Sequence, residues 1–194
     1  MLFGAYKGSN IDRYYDDFYF KKKDDENDES KNEINQKILD SILDDDDSKF
    51  SEHIFLIPDS KTNPNQKFSM TNYKIPKLLV NRPTYASLCA FFGAEKCFTA
   101  LSMICQEGIT SEQFKQTDDN NRSPIHFACA GGNLNIVRML YEADFDLDIR
   151  DDYGLRPSHY SAMSGTADVM QYLWTKGVDI LKNNSYGIMS SFQT

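Results

Sequence analysis

The sequence predicts an all-α protein, a solenoid of paired antiparallel helices, and three observations predict it. Residues 123–128 recur in pattern as residues 156–161, and a fixed period of thirty-three residues is typical of stacked repeats. The apolar residues of each unit follow the spacing of a helix. Turns rich in Asp, Asn and Gly precede both units, at residues 118–121 and 151–154, and separate one helix pair from the next.

Helix boundaries can be placed within each unit. Ser123 is a good N-cap residue, and Pro124 loses no hydrogen bond at the first helical position. Arg156 occupies the place of Ser123 in the next unit and cannot cap in that way, so we expect this helix start to be weaker by about 1 kcal/mol. Gly132 and Gly165 follow the two first helices, which predicts that both adopt the left-handed conformation of a helix end.

Two sets of residues form the predicted core of these units. Small residues allow neighbouring first helices to stack closely, namely Ala128, Cys129 and Ala162. Larger apolar residues fill the layer beneath, namely Ile136, Val137, Leu140, Val169, Met170 and Leu173. Trp174 takes the place that Tyr141 has one unit earlier, so we expect it on the outer face.

The two units resemble ankyrin repeats. Each has an Asp-rich turn, a start similar to Thr-Pro-Leu-His (Ser123-Pro124-Ile125-His126 in the first unit) and a glycine between two helices. The second unit departs from this pattern at Arg156 and Ser158. The resemblance implies an ankyrin-repeat solenoid with β-turn tips. It covers roughly the last 40% of the chain. The chain also resembles some large protist ankyrin families.

The resemblance also predicts the domain organisation. An acidic segment, aromatic and then charged and partly disordered, forms residues 1–32, and a divergent helical N-terminal region forms residues 33–81. The ankyrin-repeat domain spans residues 82–194. Its parts are a degenerate cap repeat at 82–117, repeats at 118–150 and 151–183, and a partial repeat at 184–194. In the cap repeat, Ser87 aligns with His126 at an offset of thirty-nine, and the alignment ends near residue 115. That last unit belongs either to a longer array or to an improvised cap formed by Ile188, Met189 and Phe192.

Ankyrin repeats use their turn tips and the exposed side of each first helix as one concave surface, which implies a non-catalytic protein-protein interaction scaffold. Carried over by position, the predicted partner-binding residues are Asp119, Asn120, Arg122, Ala130, Asp152, Tyr153, Leu155 and Met163. Tyr153, Leu155 and Met163 are apolar at places that the core does not need. Arg122 is of a type that often anchors a partner.

Positions 1–52 carry most of the net negative charge, with 15 acidic and 8 basic residues. Aromatic residues at helical spacing within residues 11–20 favour a docking helix, and the alternatives are an exposed partner motif or plain disorder. Residues 21–32 contain no apolar residue, which predicts a mobile linker. Residues 33–43 predict an amphipathic helix that ends at the acidic run of residues 44–47. We expect that run to be solvated, because it lacks the spacing of a calcium loop. Residues 54–57 predict a short buried strand or extended segment.

Candidate chemistry is sparse. His126 and His159 have no nucleophile or acid at a converging position, so we expect them to bond to turn backbone, and His126 also to Ser123. No cofactor or metal motif occurs. The four cysteines lie in apolar helical contexts and none belongs to a Cys-x-x-Cys pair, so we expect buried free thiols, which suits a reducing compartment. A net charge of −8 disfavours nucleic acid and anionic membranes as partners.

The sequence therefore predicts a cytoplasmic monomer without signal peptide or transmembrane segment, which binds another protein. Two alternatives stay open. One is a truncated or structural member of an ankyrin array with no independent binding function. The other is an enzyme with an unrecognised site in the N-terminal region, at residues 33–80.

Overall fold

A computed structural model describes residues 18–20, 29–57, 60–61, 63–69, 74–105, 108–110 and 112–181. In these ranges the chain forms eight α-helices and one short antiparallel sheet of two strands. The elements in chain order are β1 (Phe18–Phe20), α1 (Glu29–Leu43), α2 (Asp47–Phe55), β2 (Lys74–Pro76), α3 (Tyr85–Phe92), α4 (Glu95–Ile104), α5 (Pro124–Gly131), α6 (Leu134–Glu142), α7 (Pro157–Ser164) and α8 (Ala167–Thr175). The predicted helical solenoid is confirmed, and the two three-residue strands are its exception.

Helices α3 to α8 form three successive pairs whose first helices end alike. Gly93, Gly132 and Gly165 follow α3, α5 and α7 with φ of 72°, 73° and 73°. The left-handed ends predicted at Gly132 and Gly165 are therefore confirmed. A Cβ at Gly132 would also come within 2.4 Å of the Cγ2 atom of Thr166, so space as well as backbone conformation requires glycine there.

The first helices stack closely, and α5 makes its most extensive contacts with α3 and α7. A Cβ on Gly131 would lie 2.1 Å from the carbonyl oxygen of Phe91, so the backbones of α5 and α3 nearly touch. Asn133 reinforces this contact, because its Nδ2 donates to the carbonyls of Ala90 and Phe91 at 2.6 and 2.9 Å. The close approach that small residues predict is thus observed, and its tightest point is a glycine.

One apolar core runs from α1 to α8. Every residue of the predicted lower layer is buried, from Ile136 in α6 to Leu173 in α8. Ala128 and Cys129 are fully buried, as expected, whereas Ala162 is only half-buried. Phe114, from the longer connection after α4, returns to this core and packs edge-on against Phe98 with ring centroids 5.0 Å apart.

Helices α1 and α2 pack on the first helix pair, α1 against α3 and α2 against α4. Polar bonds tie the two parts together. The hydroxyl of Tyr85 donates to Oδ1 of Asn35 at 2.7 Å, and the Asn35 amide donates to the carbonyl of Ser69 at 2.6 Å. Asn65 accepts a bond from the backbone N–H of Ala86 at 2.8 Å. The N-terminal region therefore covers the first helix pair, as expected for residues 33–80.

Two predictions about this region need correction. The helix predicted at residues 33–43 ends at Leu43 as expected, but it begins at Glu29, inside the predicted linker. Residues 54–57 are not a buried strand. They contain the end of α2 and the following turn. Asp46 caps the start of this helix, and Phe50 and Ile54 form its buried apolar face.

The acidic run of residues 44–47 is more than a solvated stretch. Asp45 adopts φ of 48°, and its Oδ1 accepts bonds from the backbone N–H groups of Lys96 and Cys97 at 2.9 and 3.1 Å. It therefore caps the N-terminus of α4, whose own N-cap residue, Ala94, has no side chain that could do so. The sequence could not reveal this cap, because about fifty residues separate Asp45 from the helix it caps.

Strand β1 corrects the helix predicted over residues 11–20 at its C-terminal end. Phe18–Phe20 pairs antiparallel with Lys74–Pro76, so that Phe18 lies opposite Pro76 and Phe20 opposite Lys74. The earlier part of that predicted helix, within residues 1–17, lies outside the described residues. The partial repeat predicted at residues 184–194 also lies outside them.

Candidate functional site

The turns before α5 and α7 are built around one buried aspartate each. Oδ1 of Asp118 accepts bonds from the backbone N–H groups of Asn120 and Arg122, at 2.9 and 2.8 Å. The same bonds recur thirty-three residues later, because Asp151 accepts from Tyr153 and Leu155 at 2.9 and 2.8 Å. Each aspartate thus folds the residues that follow it into a hydrogen-bonded loop.

Positive backbone angles close these turns. Asn121 has φ of 57° and Gly154 has φ of 70°, as their residue types predict. At the corresponding place before α3 stands Arg82, with φ of 52°. Arginine rarely adopts this conformation, so the first turn is strained where the others are not.

The three turns are bonded to one another as one edge. The N–H of Asp119 donates to the carbonyl of Asn81 at 3.0 Å, and the N–H of Asp152 donates to that of Asn120 at 3.1 Å. The Asn121 amide also donates to Oδ1 of Asp152 at 2.8 Å. The turn tips therefore form a continuous, ordered edge along the solenoid.

Arg122 is a structural residue, which corrects its predicted role as an anchor for a partner. It is 4% exposed. Its Nε donates to Oδ2 of Asp118 at 2.7 Å, its Nη2 donates to the carbonyl of Leu78 at 2.8 Å, and the guanidinium lies 5.1 Å from the centre of the Phe127 ring. The spacing of four residues from Asp118 is a signal that could have indicated this pairing.

The next repeat satisfies its aspartate by another route. Leu155 stands where Arg122 stands, and the hydroxyl of Tyr160, one unit beyond Phe127, donates to Oδ2 of Asp151 at 2.6 Å. Burial and this bond raise the pKa of Tyr160 well above its ordinary value. Two different side chains thus donate to the second oxygen of the turn aspartate, which indicates that the turn depends on the buried carboxylate and not on one particular donor.

The other seven predicted partner-binding residues all reach solvent, five of them on the turns and two on first helices, Ala130 in α5 and Met163 in α7. Tyr153 is 49% and Met163 is 39% exposed. Asp119 and Asp152 are exposed, whereas Asn120, Ala130 and Leu155 are half-buried. Leu155 packs against the apolar core, which corrects the expectation that the core does not need it. We call the surface formed by these seven residues the turn face. Two cations that the sequence did not indicate border it, since Lys67 Nζ lies 2.7 Å and Arg82 Nη1 lies 3.8 Å from the carboxylate of Asp119.

The histidines are part of the scaffold, as predicted. His126 and His159 are each 1% exposed, and their Nδ1 atoms accept the backbone N–H of Ser123 and Arg156 at 3.1 and 3.2 Å. Both first helices thus begin with the same histidine bond, and the weaker start expected at Arg156 stays a prediction. Burial lowers the pKa of His126 to about 4, so this ring is neutral at physiological pH.

The layer of second helices presents a different surface. Trp174 in α8 is 64% exposed, in keeping with its predicted outer position. Nearby, the ammonium of Lys176 lies 4.4 Å from the ring centre of Tyr141 and 5.3 Å from that of Tyr172. A cavity of about 300 Å³ opens beside Lys176 and reaches Asp146 and Asp179. Within the described ranges, no group of three or more His, Cys, Asp or Glu residues is placed to hold a metal ion.

The geometry defines a class of protein, a helical-repeat solenoid whose hydrogen-bonded turn tips present a side-chain surface. A family model of ankyrin repeats, in three copies, matches residues 86–184, about half of the chain. The chain therefore belongs to the ankyrin repeat family, and the match includes the divergent first pair, α3 and α4. No curated protein matches the sequence.

Ankyrin repeats are in general protein-protein interaction modules, and the family is typically non-enzymatic. Among the described helices, none is long and apolar enough to cross a membrane.

Proposed function

We propose that this chain is a non-catalytic protein-protein interaction scaffold and that its protein partner binds the turn face. The observation that carries the proposal is the exposure of Tyr153 on an edge that backbone hydrogen bonds hold in place, and of Met163 on helix α7, which follows that edge. Neither side chain is needed to fill the core, since the layers beneath them are buried without their help.

The chemistry of the turn face suits a protein ligand. Tyr153 offers a flat apolar ring with a polar end and few rotamers to immobilise, which is why tyrosine is common among interface residues that dominate affinity. Met163 offers an adaptable apolar surface. Asp152 adds an exposed carboxylate, fixed in direction by its bond from Asn121. A rigid surface loses little conformational entropy on binding, which favours affinity.

We further propose that the protein is a cytoplasmic monomer. The four cysteines are free and buried, and burial raises the pKa of Cys97 to about 12 and that of Cys105 to about 11. Thiols with such high pKa values react slowly, which fits a reducing environment. His126 and His159 use Nδ1 to begin their helices, which favours a structural role over catalysis.

The test begins with affinity capture of a partner from native cells, followed by calorimetry with the purified partner. We expect the double variant Tyr153→Ala/Met163→Ala to lose at least about tenfold in affinity, as removal of a central aromatic contact does. Trp174→Ala is the matched control, because it removes an exposed aromatic residue from the layer of second helices. Unchanged affinity in the double variant, or a larger loss in the control, would show that the partner does not bind the turn face.

A further inference from the structure

The chain segment before β1 starts close to the turn face. Because the first residue of β1, Phe18, lies opposite the last residue of β2, Pro76, the chain enters β1 at the end of β2 that continues towards the first turn. Within a few residues of Pro76, the carbonyl of Leu78 accepts a bond from Arg122 and the carbonyl of Asn81 accepts one from Asp119. The point where residues 1–17 join the described structure is therefore at one end of the row of turns.

Residues 1–17 are long enough to cover that row. Seventeen residues can span up to about 55 Å, at about 3.3 Å per residue. Neighbouring first helices lie about 8–10 Å apart, so the turn of α7 is about 20 Å from that of α3. Even a partly collapsed segment reaches Tyr153 and Met163.

The composition of the segment suits an apolar contact. It carries seven large apolar or aromatic residues, namely Met1, Leu2, Phe3, Tyr6, Ile11, Tyr14 and Tyr15. Its two basic residues, Lys7 and Arg13, are outnumbered by three aspartates, so the apolar side chains and not the charges carry the fit. A segment that is joined to the chain at one end of the surface acts at a high effective concentration, so even modest contacts can keep it bound.

We propose that residues 1–17 dock on the turn face of the same chain, against Tyr153 and Met163. The other exposed apolar residues are less suited to it. Three of them lie on second helices, two at the end of α2 and one after α8, whereas the chain enters at the row of turns; they are Met103, Tyr141, Trp174, Phe55, Leu56 and Leu181. The docking requires no partner. Its consequence, that the segment and a protein partner compete for one surface, rests on the function proposed above.

Oxidation of methionine in the full-length chain tests the docking, with Met103 as an internal control. Met103 is 79% exposed on α4, one of the second helices, whereas Met163 would be shielded by the segment. The variant Phe3→Ser/Tyr6→Ser/Tyr14→Ser/Tyr15→Ser removes the apolar side chains of the segment and leaves the described core unchanged. Dilute peroxide and mass spectrometry give the rate at each methionine.

We expect Met163 to oxidise at least about threefold faster in that variant than in the natural chain, with no change at Met103. Hydrogen exchange of the natural chain is the second measurement. Residues 1–17 should exchange more slowly than their intrinsic rate, and Tyr153→Ala should speed them up where Trp174→Ala does not. Equal Met163 rates in both chains, or exchange of residues 1–17 at the intrinsic rate, would overturn the proposal.

These measurements separate the two proposals. If Met163 is shielded by the segment but a captured partner is indifferent to Tyr153→Ala, the docking stands and the proposed binding face for the partner falls. If the partner depends on Tyr153 while Met163 oxidises equally in both chains, the docking falls and the interaction scaffold stands.

Discussion

Acid should destabilise this protein through His126 in particular. The ring is buried, its Nδ1 accepts the N–H of Ser123, and its edge faces the ring of Tyr160 with centroids 5.5 Å apart. Burial lowers its pKa from 6.5 to about 4 in the folded chain. The unfolded chain therefore binds a proton at a higher pH than the folded chain does.

The direction and size of the effect follow from this difference. The stability that depends on neutral His126 is fully present above pH 6.5 and is lost as the pH falls from 6.5 towards 4. One pKa unit corresponds to about 1.4 kcal/mol, so the shift corresponds to about 3 kcal/mol of unfolding free energy over this window.

The matched variant is His126→Gln. Glutamine at the third helical position can still accept the N–H of the Ser123 N-cap residue, as in a capping box, but it does not titrate. We expect its unfolding free energy, measured by urea denaturation, to fall by about 3 kcal/mol less than that of the natural chain between pH 7 and pH 4. Parallel curves of stability against pH for the two proteins would refute the reasoning, as would an NMR titration of His126 with a midpoint near 6.5.

Two further predictions concern the backbone, and both are measured as unfolding free energy in urea. Arg82→Gly removes a left-handed strain of about 1–2 kcal/mol, which is offset by the lost ion pair (about 0–1 kcal/mol) and by the greater freedom of the unfolded chain (about 0.5–1 kcal/mol). We therefore expect a net change of less than about 1 kcal/mol, and a larger loss would contradict the strain at this turn. Gly131→Ala should destabilise by about 1–3 kcal/mol although alanine favours helices, because the added Cβ would lie 2.1 Å from the Phe91 carbonyl oxygen. A stabilised Gly131→Ala variant would disprove the tight contact.

Sequence alone determined the parts of this protein that depend on local backbone chemistry. Gly132 and Gly165 must adopt positive φ, Pro124 fits only at a helix start, and the histidine bonds span three residues. Such features recur at a fixed period, because each repeat solves the same local problem. The family, the helix pairs and the solvent-exposed turns could therefore be predicted.

Only the tertiary structure decided the rest, because the interactions concerned join distant parts of the chain. Arg122 is buried because the carbonyl of Leu78, forty-four positions earlier, accepts its second bond. Asp45 belongs to a run of charges in the sequence but caps α4 from fifty-one positions away. Phe18–Phe20 is a strand because Lys74–Pro76 pairs with it. No periodicity in the sequence indicates such pairings, since each occurs once and depends on how the N-terminal region packs on the first helix pair.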